Sequence, residues 1–302
     1  MLTRRGFCAG LSAGSLSFVG GRVWSSSRTA IGTAEVITLS DGHLSLPESF
    51  LYGSLDRSDV DIILGNADMV AGGLEPPCNV TLLRTDDAVV LFDAGSGSGF
   101  MPTAGKLPDA LSAAGVAPED ITHVVFTHAH PDHLWGVLDD FDEPIFANAQ
   151  HLMGGDELRY WTDPDTVNTI APERQSFAAG ATRRIDLIGD RLETFGDGEQ
   201  ILPGVQAVIT PGHTPGHMSF ELSEGDARVF LIGDAIGNAH VALARPELHA
   251  PADQDPEIGA ETRVALLNRL AEEQTQAVGF HLPGGGIGRF ARDKDRFAWN
   301  AG

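Results

Sequence analysis

Thr127-His128-Ala129-His130-Pro131-Asp132-His133 follows the apolar run Val124-Val125-Phe126 and sets three imidazoles and a carboxylate within six residues. The β-branched run reads as a buried strand, and the polar segment as the loop that leaves its end. In extended backbone alternate side chains share a face, so His128 and His130 are expected to point the same way. Asp132 and His133 then fall in the following turn, within reach of a second ion. Neutral imidazole and carboxylate are ligands that suit zinc and its neighbours. Four such groups at this density are costly to bury unless a cation coordinates them. The expectation is a metal site at a strand end.

The spacing His-x-His-x-Asp-His resembles that of the metallo-β-lactamase-fold hydrolases, and counterparts of the family's other motifs follow in order. Pro211-Gly212-His213-Thr214-Pro215-Gly216-His217 is similar to the next motif. The resemblance implies that His213 completes a three-imidazole set with His128 and His130, and that His217 has a supporting or structural part. Val229-Phe230-Leu231-Ile232-Gly233-Asp234 reads as a buried strand ending in a carboxylate, and Asp234 is similar to the family's bridging aspartate. His281, after Val278-Gly279-Phe280, matches the last imidazole, which with Asp132 and His133 holds the second ion. Upstream, Val89-Val90-Leu91-Phe92-Asp93-Ala94-Gly95 resembles the first motif, whose aspartate, here Asp93, supports the site without binding metal.

The resemblance implies a four-layer αβ/βα sandwich, an α/β (α+β) fold, where residues as distant as Asp93 and His281 meet at one end of two sheets. It implies two divalent ions, zinc first, with Mn, Fe or Co as alternatives, and Asp132 and Asp234 as the groups that handle the proton. Several true β-lactamases use a cysteine at the second metal, where this chain has Asp132-His133. The diiron flavoprotein branch carries a glutamate where His130 stands. Within the superfamily the chain resembles the methyl parathion hydrolase-like branch, beside the N-acyl homoserine lactonases. Ser40-Asp41-Gly42 with Leu44, Leu46 and Pro47, and His281-Leu282-Pro283 with Gly286-Ile287-Gly288, carry that likeness. Phe100, Trp161 and Phe177 stand where that branch places pocket aromatics, and each reads equally as core or lid packing. Trp135 replaces a residue that is often small in the family, so it either narrows the entrance or packs below the metals. His240, six residues past Asp234, is a candidate to face the substrate or a locally bonded histidine. His123 and His151 read as solvated or locally bonded, with His151 on a helix.

Apolar runs at 35–39, 80–83, 88–92, 124–127, 205–210, 218–222 and 229–232 read as strands, and 103–114 and 255–277 as helices. Residues 148–200, poor in strand signals, are expected to cap the site, with helix near 149–161. No linker divides 31–302, and a hydrophobic content of 42% suffices for a sizeable core, so one catalytic domain is expected. Residues 1–30 have the layout of a twin-arginine export leader: Arg4-Arg5 precede a weakly apolar stretch too rich in Gly and Ser for a membrane anchor. The leader implies a periplasmic or secreted protein, with the twin-arginine machinery as a partner. Removing it takes away Cys8 and leaves Cys78 without an intrachain disulfide partner. A formal charge of −22 disfavours nucleic acid and best fits a neutral or weakly polar substrate, and the resemblance implies a small-molecule ester or lactone. Members resembling this branch often dimerise, so a homodimer is a further expectation. Three function classes stay open: a dinuclear hydrolase of lactones or carboxylic esters with phosphotriesters as a secondary substrate, an iron-dependent redox or sulfur-chemistry member, and a non-catalytic metal-binding protein.

Overall fold

The structure, a computed structural model, describes residues 27–47, 55–64 and 73–302. Its first half runs β1 (Arg28–Ile31), β2 (Ala34–His43), β3 (Leu46–Pro47), α1 (Arg57–Leu64), β4 (Gly73–Leu74), β5 (Pro77–Arg84), β6 (Val89–Phe92), α2 (Leu107–Ala113), β7 (His123–Phe126), α3 (Pro131–Leu134), β8 (Gln150–Gly154), α4 (Gly155–Thr162), α5 (Thr166–Thr169), α6 (Gln175–Ile188) and β9 (Leu192–Phe195). The second half adds β10 (Gln200–Leu202), β11 (Val205–Ile209), β12 (Met218–Glu224), β13 (Ala227–Gly233), α7 (Val241–Ala244), α8 (Pro256–Glu273), β14 (Gln276–Gly279), β15 (Ile287–Asp293) and β16 (Arg296–Ala301).

Alternation along the strands builds the layers. Val90, Phe92 and Val125 face inward and meet Phe220, Val229 and Leu231 of the opposite sheet. Their neighbours Leu91, Val124 and Phe126 face outward, beneath Leu111, Leu134 and Ala181 of the helices. Phe230 and Ile232 do the same on the far side, under Leu266, Leu267 and Leu270 of α8. Strands covered on both faces need no polar side, which is why the sequence shows unbroken apolar runs. One sheet has the order β1-β2-β5-β6-β7-β8-β9 and the other β10-β11-β12-β13-β14-β15-β16. The rings of Phe92 and Phe220, 5.2 Å between centroids, pack the sheets together. The result is the helix-sheet-sheet-helix sandwich. Strands β6, β7 and β8 run parallel, as do β13 and β14, so the loops after β6, β7, β13 and β14 leave from strand C-terminal ends. Those loops carry Asp93, the His128 to His133 run, Asp234 and His281.

Several expectations are corrected by the structure. Residues 148–200 begin and end as strands, β8 and β9, of the first sheet, and only the part between them is helical. His151 therefore lies on a strand, paired with Val124, rather than on a helix. The last long helix stops at Glu273, where Gln274 turns left-handed (φ 52°, ψ 31°) and releases the chain into β14. The helix expected from residue 103 starts at Leu107, because Gly105 takes φ 75° just before it. Of the expected leader, residues 1–26 lie outside the described residues; Arg28–Ile31 pair with β2, so a leader ending at residue 30 would remove an edge strand. Among the described residues no helix is long and apolar enough to cross a membrane.

Candidate metal centre

Asp93 leaves β6 in the left-handed region (φ 67°), which Asp tolerates better than most residues. Its carboxylate accepts from the Thr127 N–H at 2.8 Å and the Thr127 hydroxyl at 2.9 Å, tying the first loop to the second. The same carboxylate stands 2.8 Å from His133 Nδ1. That nitrogen must therefore carry the ring proton, and Nε2 turns inward, 3.5 Å from Asp132 Oδ2 and 3.4 Å from Asp234 Oδ1. His281 is oriented by the same logic: its Nδ1–H donates to the Pro77 carbonyl at 2.8 Å, leaving Nε2 at 3.3 Å from Asp132 and 3.2 Å from Asp234. Asn79 fixes this loop by donating to the carbonyls of Gly279, Phe280 and Leu282.

The other imidazoles converge a few ångströms away. His130 Nδ1 lies 3.0 Å from His128 Nε2 and 2.8 Å from His213 Nε2. His213 Nδ1 faces Asp253 Oδ1 at 3.4 Å, and Arg263 holds the other Asp253 oxygen at 3.1 Å. His130 Nε2 faces the Gln254 amide at 3.2 Å, and Gln254 Oε1 is buried without a partner. Half a turn of that amide lets Oε1 accept an Nε2–H and leaves the Nδ1 lone pair for the centre.

His217 belongs to neither set. Its Nε2 accepts the Asp234 backbone N–H at 2.9 Å, so Nδ1 is protonated and faces Thr210 Oγ1 at 2.8 Å. Thr210 in turn meets Ser219, whose hydroxyl donates to the Ile232 carbonyl. Burial and the nearby His213 push His217 down to about 3, so it stays neutral and positions the Asp234 backbone. Gly233 is required here: it takes φ 58°, and an added Cβ would sit 2.5 Å from His217 Nε2.

Two candidate ligand sets result, His128-His130-His213 and Asp132-His133-Asp234-His281, all buried, with one ligand atom per residue lying within 4.8 Å of the others in its set. Divalent cations fit them on three counts. Asp132 Oδ2, His133 Nε2 and Asp234 Oδ1 are buried with no hydrogen-bond partner. Burial and the neighbouring imidazoles hold His128 and His130 well below their ordinary pKa, so their lone pairs are open and repel one another without a cation between them. In the second set burial opposes charge on His133, but Asp234, Asp132 and Asp93 outweigh it and raise the ring to about 10. That negative field draws a proton, and a divalent cation answers the same field while displacing it.

Besides Asp253, two buried carboxylates were not legible as site residues. Glu157 on α4 accepts from Ala129 N (2.9 Å) and Trp161 Nε1 (2.6 Å) with one oxygen, and from Thr214 Oγ1 (2.7 Å) and Gly216 N (3.1 Å) with the other. It thereby ties the His128 to His130 loop to the His213 loop. Asp41 accepts from Ser96 N, Gly105 N and Leu107 N, fastening the loop after Asp93 to the start of α2.

A cavity of about 380 Å³ opens over both sets, lined by His130, Asp132, His213, Asp234 and His281. Phe100 and Phe177 are in its wall; Trp135, Trp161 and His240 are not. Trp135 stands behind Phe100 (centroids 5.7 Å apart), with the Arg184 guanidinium 4.3 Å above its ring. Trp161 is fully buried because Glu157 takes its indole N–H, and its ring meets His130 edge-on from below. His240 caps α7, accepting the Val241 N–H, and lines a neighbouring cavity with Pro283 and Trp299.

This sandwich, with ligand loops gathered at one end, defines a metal-dependent hydrolase scaffold. Residues 73–274 match the Metallo-beta-lactamase superfamily, and the chain belongs to it. It is similar to a probable metallo-hydrolase, Rv2300c, of Mycobacterium tuberculosis, 26% identical over 195 residues, or 55% of this chain and 59% of that one. It is 31% identical over 127 residues to the N-acyl homoserine lactonase AttM of Agrobacterium fabrum, covering 41% of this chain and 44% of that one. The chain thus spans about half the length of these curated relatives. The solved structure of the hydrolase AbOPH of the β-lactamase superfamily superposes with a TM-score of 0.85 at 27% identity, over 92% of this chain and 98% of that one.

Proposed function

We propose that the chain is a dinuclear metal-dependent hydrolase that cleaves a small ester, most simply a lactone or carboxylic ester, in the cavity over the two ligand sets. The position of Asp234 carries the proposal. One of its oxygens, Oδ2, lies 3.4 Å from His213 Nε2 in the first set and 3.2 Å from His281 Nε2 in the second, where one carboxylate serves both. Two divalent cations, zinc first among Zn, Mn, Fe and Co, would be held by these two sets and would supply Lewis acidity there. Burial alone raises a carboxyl, but His133 and His281 hold Asp132 and Asp234 below the ordinary carboxylate range, so both are acceptors at neutral pH. Both residues line the cavity, and either carboxylate can hold the proton that must move from water to the leaving alkoxide. Phe100, Met101, Phe177 and Val241 exclude bulk water and offer an apolar seat for an acyl chain.

The likeness to AttM supports a lactone, and the apolar wall accommodates aryl esters or a phosphotriester as secondary substrates. The paired Arg4-Arg5 support export of the folded chain to the periplasm or beyond, as part of the same proposal. Initial rates measured by pH-stat on zinc-loaded protein, across an acyl lactone, an aryl acetate and an aryl phosphotriester, test it against a His128→Ala control. Turnover of the lactone or ester well above the control is expected. Inactivity on all three with both ions bound would overturn it.

A further inference from the structure

The cavity wall holds three arginines, Arg174, Arg245 and Arg263, and two of them are paired with carboxylates of the protein. Arg263 pairs with Asp253 at 3.1 Å and donates to the carbonyls of Pro246 and Leu248. Arg245 pairs with Glu247 at 2.6 Å. Arg174 differs. It ends the turn Pro172–Arg174 at the N-terminus of α6 and is only 9% exposed. Its Nη2 donates to the Pro251 carbonyl at 2.6 Å, while Nε and Nη1 have no protein partner among the described residues, and no carboxylate forms an ion pair with it. Asp253 is in its field, but one oxygen of that residue faces His213 and the other Arg263. Burial lowers the Arg174 pKa from its ordinary value, and Asp253 and Glu173 only partly restore it.

A largely buried guanidinium with no carboxylate in ion-pair contact is costly, and Arg174 lines the cavity that receives the substrate. The positive end of α6 adds to the same attraction for negative charge. We propose that Arg174 anchors a second subsite, which binds a carboxylate carried by the substrate away from the bond that is cleaved. The assignment rests on the hydrolase reading for the bond cleaved, and it narrows the substrate class to half-esters of dicarboxylic acids or lactones that bear a carboxylate. Phe177, beside Arg174 in the wall and 6.0 Å from both the Phe100 and His130 rings, flanks the chain that would link the two ends.

The test uses the full, zinc-loaded chain and two readouts. The first is the ratio of kcat/KM for an aryl hemiglutarate to that for its neutral methyl ester, in wild type, Arg174→Gln and Arg174→Lys. A ratio above one is expected, falling about tenfold to a hundredfold in Arg174→Gln, the range for loss of a charge-assisted hydrogen bond, and partly kept in Arg174→Lys. The second is calorimetric binding of glutarate against butyrate, since either can place one carboxylate on the metals but only glutarate has another for Arg174. If no ester is turned over, the hydrolase reading fails, while a glutarate advantage that Arg174→Gln abolishes upholds the subsite. Equal binding of glutarate and butyrate by wild type overturns the subsite without recourse to any variant. An ester ratio unchanged in a folded Arg174→Gln also overturns it and leaves Arg174 as a tie between α6 and the Pro251 loop.

Discussion

Replacing Glu157 with glutamine should loosen the metal centre without touching a ligand. The glutamine has the same shape, so its oxygen can still accept from Ala129 N and Trp161 Nε1, which Glu157 binds at 2.9 and 2.6 Å. Its NH₂ then faces Thr214 Oγ1 and Gly216 N, both donors to Glu157 at 2.7 and 3.1 Å. The threonine hydroxyl can rotate and accept, but the Gly216 N–H cannot. Four bonds lose their charge and one buried donor loses its acceptor. A bond to a charged group contributes about 1.5–3 kcal/mol, a neutral one about 0.5–1.5, and a stranded donor costs about 1–3. Burial offsets part of this, because it pushes the Glu157 carboxyl up from its ordinary pKa and glutamine carries no charge to desolvate. The net loss is about 2–3 kcal/mol, which for a chain of this size lowers Tm by roughly 3–5 °C. Because the carboxylate joins the two loops that supply His128, His130 and His213, metal affinity should fall about 10–100-fold. Differential scanning calorimetry and metal content after dialysis against graded chelator measure both effects. A Glu157→Gln protein with Tm within about 2 °C of wild type and both ions retained would refute the clamp.

His128→Ala and Asp234→Ala should each lose bound metal and turnover together, read by elemental analysis and initial rates; an active, metal-replete variant would contradict the ligand assignment. Chelation should lower Tm, since ligand at about a thousand times its Kd stabilises by about 4 kcal/mol, and zinc readdition should restore it. His151 is buried with neither ring nitrogen hydrogen-bonded, and burial with Arg191 nearby lowers it to about 4 from 6.5. The unfolded chain therefore binds more protons between those values, so stability is complete above pH ~6.5 and falls by up to about 3 kcal/mol as pH drops toward 4. His151→Phe should flatten that part of the Tm-versus-pH curve relative to wild type. Gly180 lies inside α6, where alanine normally gains about 1 kcal/mol, yet an added Cβ would come within 2.5 Å of the Trp135 ring. Gly180→Ala should instead cost about 1–3 kcal/mol and shift acyl-chain preference through Phe100; a stabilised variant with unchanged preference would show that Trp135 yields freely.

The candidate ligand sets were legible because their chemistry is in their residue type. Histidines and aspartates clustered at the ends of apolar runs have few other uses, and the parallel strands bring those ends together. The carboxylates that aim the ligands carry no such mark. Asp156 and Glu157 are adjacent acids on α4, separated by about 100° of helical rotation. The first pairs with Arg159 in solvent, and the second is fully buried at the centre of the loop clamp. Asp253 and Asp255 divide in the same way, one behind His213 and the other capping α8. Strands β15 and β16 escaped notice because Arg289, Arg292 and Arg296 interrupt their apolar pattern at a sheet edge with a solvent face. Trp161 stayed open between pocket and core for the converse reason: an aromatic ring states its size but not whether its polar edge is answered from inside.

These failures share a physical cause. Periodicity reports contacts a few residues apart, whereas Asp41 reaches Ser96 across 55 residues, Asp93 reaches His133 across 40, and Glu157 reaches Gly216 across 59. The His128 to His133 and His213 loops are thus held by carboxylates from other elements, the Asp234 loop by His217 and the His281 loop by Asn79, and the ring nitrogen a histidine presents is decided by whichever acceptor takes its other N–H. His133 and His281 present Nε2 because Asp93 and the Pro77 carbonyl occupy Nδ1. A change at such a support alters the centre while leaving every residue of the His-x-His-x-Asp-His run in place. The proposed metal affinity is therefore a property of the packed sandwich, and a peptide carrying the same run outside it would keep the candidate ligands but lose the selection of their nitrogens.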